Sequence, residues 1–144
     1  MNMRHAAHET HLPGKLDAVA AIKTLRYFIG GSQLQAIGDA CRGEEKQFFF
    51  AKLVELAAQV ATMPKVYEQD GLGDSAIVGL HYFTGSCDWY ITERDISAEQ
   101  HQAFGLANLG YGGELGYISI AELIEAGAEI DLYFTPKPLR EIKT

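Results

Sequence analysis

The stretch EEKQFFFAKLVELAAQVATM, residues 44–63, followed at once by Pro64, decides how the rest of the chain is read. Phe49, Leu53, Leu56, Val60 and Met63 recur at steps of four and three, the spacing that lines side chains along one side of a helix. Glu44 and Glu45 stand at the end where unpaired N–H groups give a helix its positive pole. Pro64 turns the residue before it away from helical geometry, so the helix stops there. A single apolar stripe of this length needs a surface to cover. The chain beyond Pro64 supplies one, because its period changes from helical to alternating.

After the turn-rich QDGLGD (69–74), AIVGLHYF (76–83) reads as a strand and Gly85-Ser86 as a turn. DWYITERD (88–95) follows, with Trp89 and Ile91 facing one way and Asp88, Tyr90, Thr92 and Arg94 the other. The two segments form a predicted β-hairpin. QAFGLANL (102–109) and ELGYIS (114–119) give two more strands around Gly110-Tyr111-Gly112-Gly113. Ser119 with Glu122 makes a capping box that opens a short helix with Ile120, Leu123 and Ile124 inward, and Gly127 suits its end. In AEIDLYF (128–134), Ile130, Leu132 and Phe134 alternate with outward Glu129, Asp131 and Tyr133, and Pro136 and Pro138 close the fold.

Upstream of the long helix, Arg42-Gly43 ends a shorter one over residues 33–41, whose start is marked by a Ser32/Gln35 capping box. Residues 16–29 read as a short helix running into a strand, broken by Gly30-Gly31. Residues 1–22 are expected to form a flexible tail and residues 23–144 one α+β domain. In it, N-terminal helices pack on an antiparallel sheet of about four or five strands with one short inserted helix.

The composition fits that size: 144 residues, 47% hydrophobic and 22% charged, are ordinary for a globular domain. No apolar run approaches the ~20 residues that span a bilayer. MNMRHAAHETHLPGK lacks the apolar centre of a secretory signal, and neither Cys41 nor Cys87 stands in a CxxC pattern. A reduced, cytoplasmic protein is expected. The net charge of −7 is unevenly spread, since Arg94 is the only Lys or Arg between Lys65 and Lys137. Such a surface repels phosphate backbones and suits a basic protein partner instead.

Few residues carry chemistry. His5, His8 and His11 have the spacing of metal ligands, yet nothing apolar anchors them, and no metal site is expected. GGSQLQAIG (30–38) does not match the dinucleotide fingerprint, and GYGGELG (110–116) has no Lys or Arg to meet phosphate, so no cofactor is expected. His81, Cys87, Asp88 and Glu114 are the candidates for a small hydrolase or transferase, with Cys87 facing His81 across the hairpin and Asp88 orienting the ring. The other reading is a non-catalytic, acidic and tyrosine-bearing sheet face. Asp88 and Tyr90 would supply it from one strand, and Asp131 and Tyr133 from a neighbouring one. Polar outward residues are also what any one-sided antiparallel sheet requires.

Asp88-Trp89-Tyr90, Phe104-Gly105, Asn108-Leu109, Glu114 to Ser119, Glu122-Leu123, Asp131 to Phe134 and Pro136 carry a resemblance. In order and spacing this stretch resembles an uncharacterised family of small proteins and domains carried on bacterial plasmids and integrative elements. The resemblance implies a cytoplasmic accessory product of a mobile element and no particular activity. Within it Trp89, Leu115 and Leu123 suit a core, and the polar remainder, Asp88, Tyr90, Asn108, Glu114 and Asp131, suits function.

Overall fold

Helices α1 (Lys15–Leu25), α2 (Gly31–Ala40) and α3 (Lys46–Thr62) precede the sheet in the computed structural model, which describes residues 12–142. The stripe read from the sequence does its work in α3: Leu53, Leu56 and Val60 are buried, with Met63 just beyond the last turn. They meet Leu80, Tyr82, Ile91, Ala103, Ile118 and Ile130 in one core. Those residues belong to β2 (Leu80–Thr84), β3 (Cys87–Glu93), β4 (Ala103–Asn108), β5 (Gly113–Ile118) and β6 (Glu129–Ile130). The five strands are antiparallel in the order β5-β4-β3-β2-β6, with helix α4 (Ile120–Glu125) inserted between β5 and β6. The fold is α+β, with helices on one side of the sheet. Ser119 caps α4 by accepting a hydrogen bond from the Glu122 N–H at 3.1 Å, and Gly127 ends it at a positive φ of 94°.

Several expectations are corrected. The helical layer begins at Lys15, where Asp17 accepts from the Gly14 N–H at 2.8 Å, and α1 buries Ala18, Ala21 and Leu25. Residues 15–22 are therefore packed helix, not tail; small alanines at the buried positions gave the stretch little apolar contrast. His5, His8 and His11 lie outside the described residues. No strand follows α1: the chain turns there, with Phe28 and Ile29 buried. Helix α2 starts two residues early, capped by Gly30 and not by Ser32. A Cβ on Gly30 would lie 3.0 Å from Ile124, so this turn presses on α4.

A further correction concerns the sheet's other face. It is partly covered by a two-stranded sheet of β1 (Ile77–Val78) and β7 (Lys137–Pro138). Ala76, Val78, Leu106 and Leu139 are buried there, with Tyr90 and Phe134 packed against them. Strand β6 ends at Ile130, so the expected alternation to Phe134 fails. Leu132 joins the main core while Phe134 crosses to this second cluster.

Tyr82, fully buried, donates to the Phe28 carbonyl at 2.6 Å, tying the central sheet to the turn after α1. Burial pushes its phenol well above the ordinary value of 10.0. The folded protein thus holds a proton that the unfolded chain gives up near pH 10. Stability is level below that pH and falls as pH rises toward the higher folded value. Tyr82→Phe is expected to cost about 1–2 kcal/mol at neutral pH. The variant should then lose less stability than the parent between pH 9 and 11. Parallel alkaline losses in urea titrations would contradict this role.

Candidate functional site

The β2–β3 hairpin turns at Gly85-Ser86 and pairs Thr84 with Cys87, which sets His81 opposite Tyr90 and Phe83 opposite Asp88. His81, Tyr90, Phe83 and Asp88 therefore share the face away from the helices. His81 Nε2 lies 2.7 Å from Asp88 Oδ1, and Nδ1 lies 3.0 Å from Asp131 Oδ2. The ring stacks on Tyr90, with centroids 4.6 Å apart and planes within 7°, and Phe134 stands 5.8 Å away. Asp88 orients the histidine as expected. An ionised carboxylate only accepts, so both contacts are hydrogen bonds at once only when both ring nitrogens carry protons. A carboxylate thus stands at each ring nitrogen and fixes the plane of the imidazole. Burial, then the charges of Asp88 and Asp131, hold the Tyr90 phenol above its ordinary range.

The other candidates are dispersed. Cys87 lies across from Thr84 on the face of Trp89, opposite to His81, so the expected Cys87–His81 pair does not form. Glu114 pairs in register with Ala107, which pairs with Trp89, placing it on that same far face, exposed to solvent. The catalytic grouping of His81, Cys87, Asp88 and Glu114 is thus reduced to His81 and Asp88. Asn108 is the cross-strand neighbour of Asp88, but its side-chain oxygen accepts from the Gly110 N–H at 3.0 Å and shapes the glycine turn. Tyr133 is exposed and stacks on Phe48 at 6.2 Å, with the Lys52 ammonium 5.4 Å from its ring. Strands β3 and β6 are not neighbours: β2 runs between them and supplies the histidine that Asp88 and Asp131 grip.

Beside this cluster lies a hollow of about 390 Å³ that the sequence did not announce. Its walls are the Val66–Gly73 arm, Phe104 and Leu115, with Tyr67, Asp70 and Glu93 among the lining residues. A bulge between Ile91 and Glu93 breaks the alternation of β3. Glu93, only 5% exposed, accepts from the Tyr67 and Gln69 N–H groups, both at 2.8 Å. Gln69 fastens the arm further, donating to the Thr92 carbonyl at 2.8 Å and accepting from the Ile77 N–H at 2.8 Å. These contacts hold Tyr67 at a φ of 81°, uncommon for any residue but glycine. Its hydroxyl meets that of Tyr117 on β5.

The two edges of the sheet differ. At β6, the Gln33 side chain donates to the Ile130 carbonyl at 2.8 Å and accepts from its N–H at 2.9 Å, occupying the place of a further strand. At β5 no hydrogen bond among the described residues engages the outer backbone. Strand β5 reads GELGYI, with neither Lys nor Pro to discourage pairing, and Leu115 and Tyr117 are about half exposed.

A family model described as Protein of unknown function (DUF2958) matches residues 51–138, well over half of the chain. The chain belongs to the DUF2958 family. No curated protein and no solved structure matches it. The DUF2958 match begins inside α3 and ends in β7, so it takes in the whole five-stranded sheet, the His81 cluster and the lining of the hollow apart from Leu139. Helices α1 and α2 lie outside it. The resemblance drawn over Asp88 to Pro136 falls within the matched region.

Proposed function

We propose that this DUF2958 protein is a non-catalytic protein-binding module that takes an extended, basic segment of a partner along β5 and over the adjoining hollow. The observation that carries this reading is the contrast between the two sheet edges, one sealed by Gln33 and the other six residues long and bare. An added strand gains main-chain hydrogen bonds at such an edge, and side chains from alternate positions reach the surface beside it. Here that surface offers tyrosine rings at Tyr67 and Tyr117 and the exposed carboxylate of Asp70, which suits Lys or Arg. We read the protein further as a cytoplasmic accessory product of a bacterial mobile element whose partner is a basic, nucleic-acid-handling protein of the host or a rival.

The test uses a peptide of about ten residues alternating arginine and valine, long enough to run the strand. Binding by fluorescence anisotropy is expected to weaken at least tenfold as salt rises from 50 to 500 mM. Methylating alternate backbone nitrogens of the peptide should abolish it. Tyr67→Gly should weaken binding without lowering stability, because glycine is at ease at that φ. Salt-independent binding, or equal binding of the methylated peptide, would sink the proposal.

A further inference from the structure

Between α1, α2 and α3 lies a second hollow, of about 460 Å³, to which the sheet contributes no lining residue. Val19, Ile22, Leu34, Ile37, Phe50 and Leu53 make it apolar. Among the described residues Lys15, Arg42 and Lys46 also line it, and no carboxylate does. Arg42 shares its charge with Asp39 on the outer surface. Lys15 and Lys46, with Arg42 beside them, give this apolar hollow a cationic rim.

Gly38 strengthens the case. It lies within α2 and lines the hollow, and a Cβ placed there would meet nothing within 4 Å. Glycine is the weakest helix former after proline. Among the described residues no close approach of another element requires it here. Its effect is to leave the hollow open.

We infer that this hollow binds an amphipathic anion, a straight-chain fatty carboxylate whose alkyl chain lies among Val19, Ile37 and Phe50 and whose head group meets Lys15, Arg42 and Lys46. An apolar guest that covers these walls removes their apolar surface from water. At about 30 Å³ per methylene, close to the share of one water in the liquid, the space suits a chain on the order of a dozen carbons. The cations fix its direction and exclude alkylammonium ions. This site is separate from the β5 edge, and its occupancy does not depend on the peptide-binding reading.

The two cysteines provide an internal control, since Cys41 lies in the wall of the hollow and Cys87 on the distant hairpin. The full chain is titrated calorimetrically with octanoate, decanoate and dodecanoate, all below their micelle-forming concentrations. Saturable binding to one site is expected, tightening about fourfold per methylene that enters the hollow. Dodecanoate should slow alkylation of Cys41 and leave that of Cys87 unchanged. Dodecanol should bind more weakly than dodecanoate, and dodecyltrimethylammonium more weakly still. Lys15→Ala with Lys46→Ala should weaken dodecanoate at least fivefold and leave dodecanol unaltered. Gly38→Leu fills the space while favouring the helix, so it should fold and lose binding at least tenfold. Absence of saturable dodecanoate binding overturns the inference. So does equal binding of the ammonium compound, or unchanged binding by a folded Gly38→Leu variant.

Discussion

Gly105→Ala is expected to remove most of the protein's stability, about 4 kcal/mol or more, set against the 5–15 kcal/mol usual for a domain. A Cβ at Gly105 would stand 2.1 Å from the Tyr90 carbonyl oxygen and 2.9 Å from Ile91 Cα. Both neighbours are backbone atoms of β3, in the middle of the sheet, so no side chain can swing aside. The close approach occurs next to the bulge between Ile91 and Glu93, where β3 bends and β4 must follow without a side chain in between. Relief would require separating β3 from β4 and exposing Ile91 and Ala103, both fully buried. Gly116, the register partner of Gly105 on β5, is the control: a Cβ there meets nothing within 4 Å. Gly116→Ala should therefore stay within about 0.5 kcal/mol of the parent. Urea midpoints followed by circular dichroism decide the matter, and similar midpoints for the two variants would contradict the close approach.

The elements legible in the sequence are those set by local period. The α3 stripe, the β2–β3 hairpin and the Ser119 cap each depend on residues close together in the chain. The hairpin held more than its two strands. A two-residue turn at Gly85-Ser86 pairs Thr84 with Cys87 and hence His81 with Tyr90. That register alone puts Cys87 on the opposite face from His81, so the nucleophile pair was excludable from the sequence by counting outward from the turn. The same counting keeps Asp88 within reach of His81.

What the sequence hid depends on strand order and on departures from regularity. Alternation in 88–95 and 128–134 says which residues share a face but not that β2 lies between those strands, so Asp88 and Asp131 read as parts of an open surface. In the fold they close on one histidine under a partial cover that includes Phe134. The bulge moves Glu93 to the same face as the hollow, a one-residue shift that no periodic reading contains. Tyr67 lies in a turn-rich arm whose conformation is dictated by contacts to Glu93, twenty-six positions after Tyr67 in the chain. Gln33 gives no local signal that it will stand in for a strand.

Glu93→Ala is the second substitution with a large expected effect, about 3–5 kcal/mol, because it leaves two N–H groups without an acceptor in a buried place. The loss should be uneven. Glu93 and Gln69 together fasten the arm from Val66 to Ile77, whereas the main core is built from other residues. Hydrogen exchange at the Tyr67 and Gln69 amides should therefore accelerate far more than exchange in α3. Glu93→Gln separates the charge from the shape: its single carbonyl can serve one N–H, while its amino group faces the other. It should fall between the parent and Glu93→Ala in both stability and exchange. Since the arm carries Tyr67 and Asp70, each step of loosening should also weaken the arginine–valine peptide, in the same order. A Glu93→Gln variant with the parent's exchange rates would show that paired acceptance by the carboxylate does not hold the arm. Intact arms with lost peptide binding would instead assign Glu93 a direct part in recognising the partner's cation.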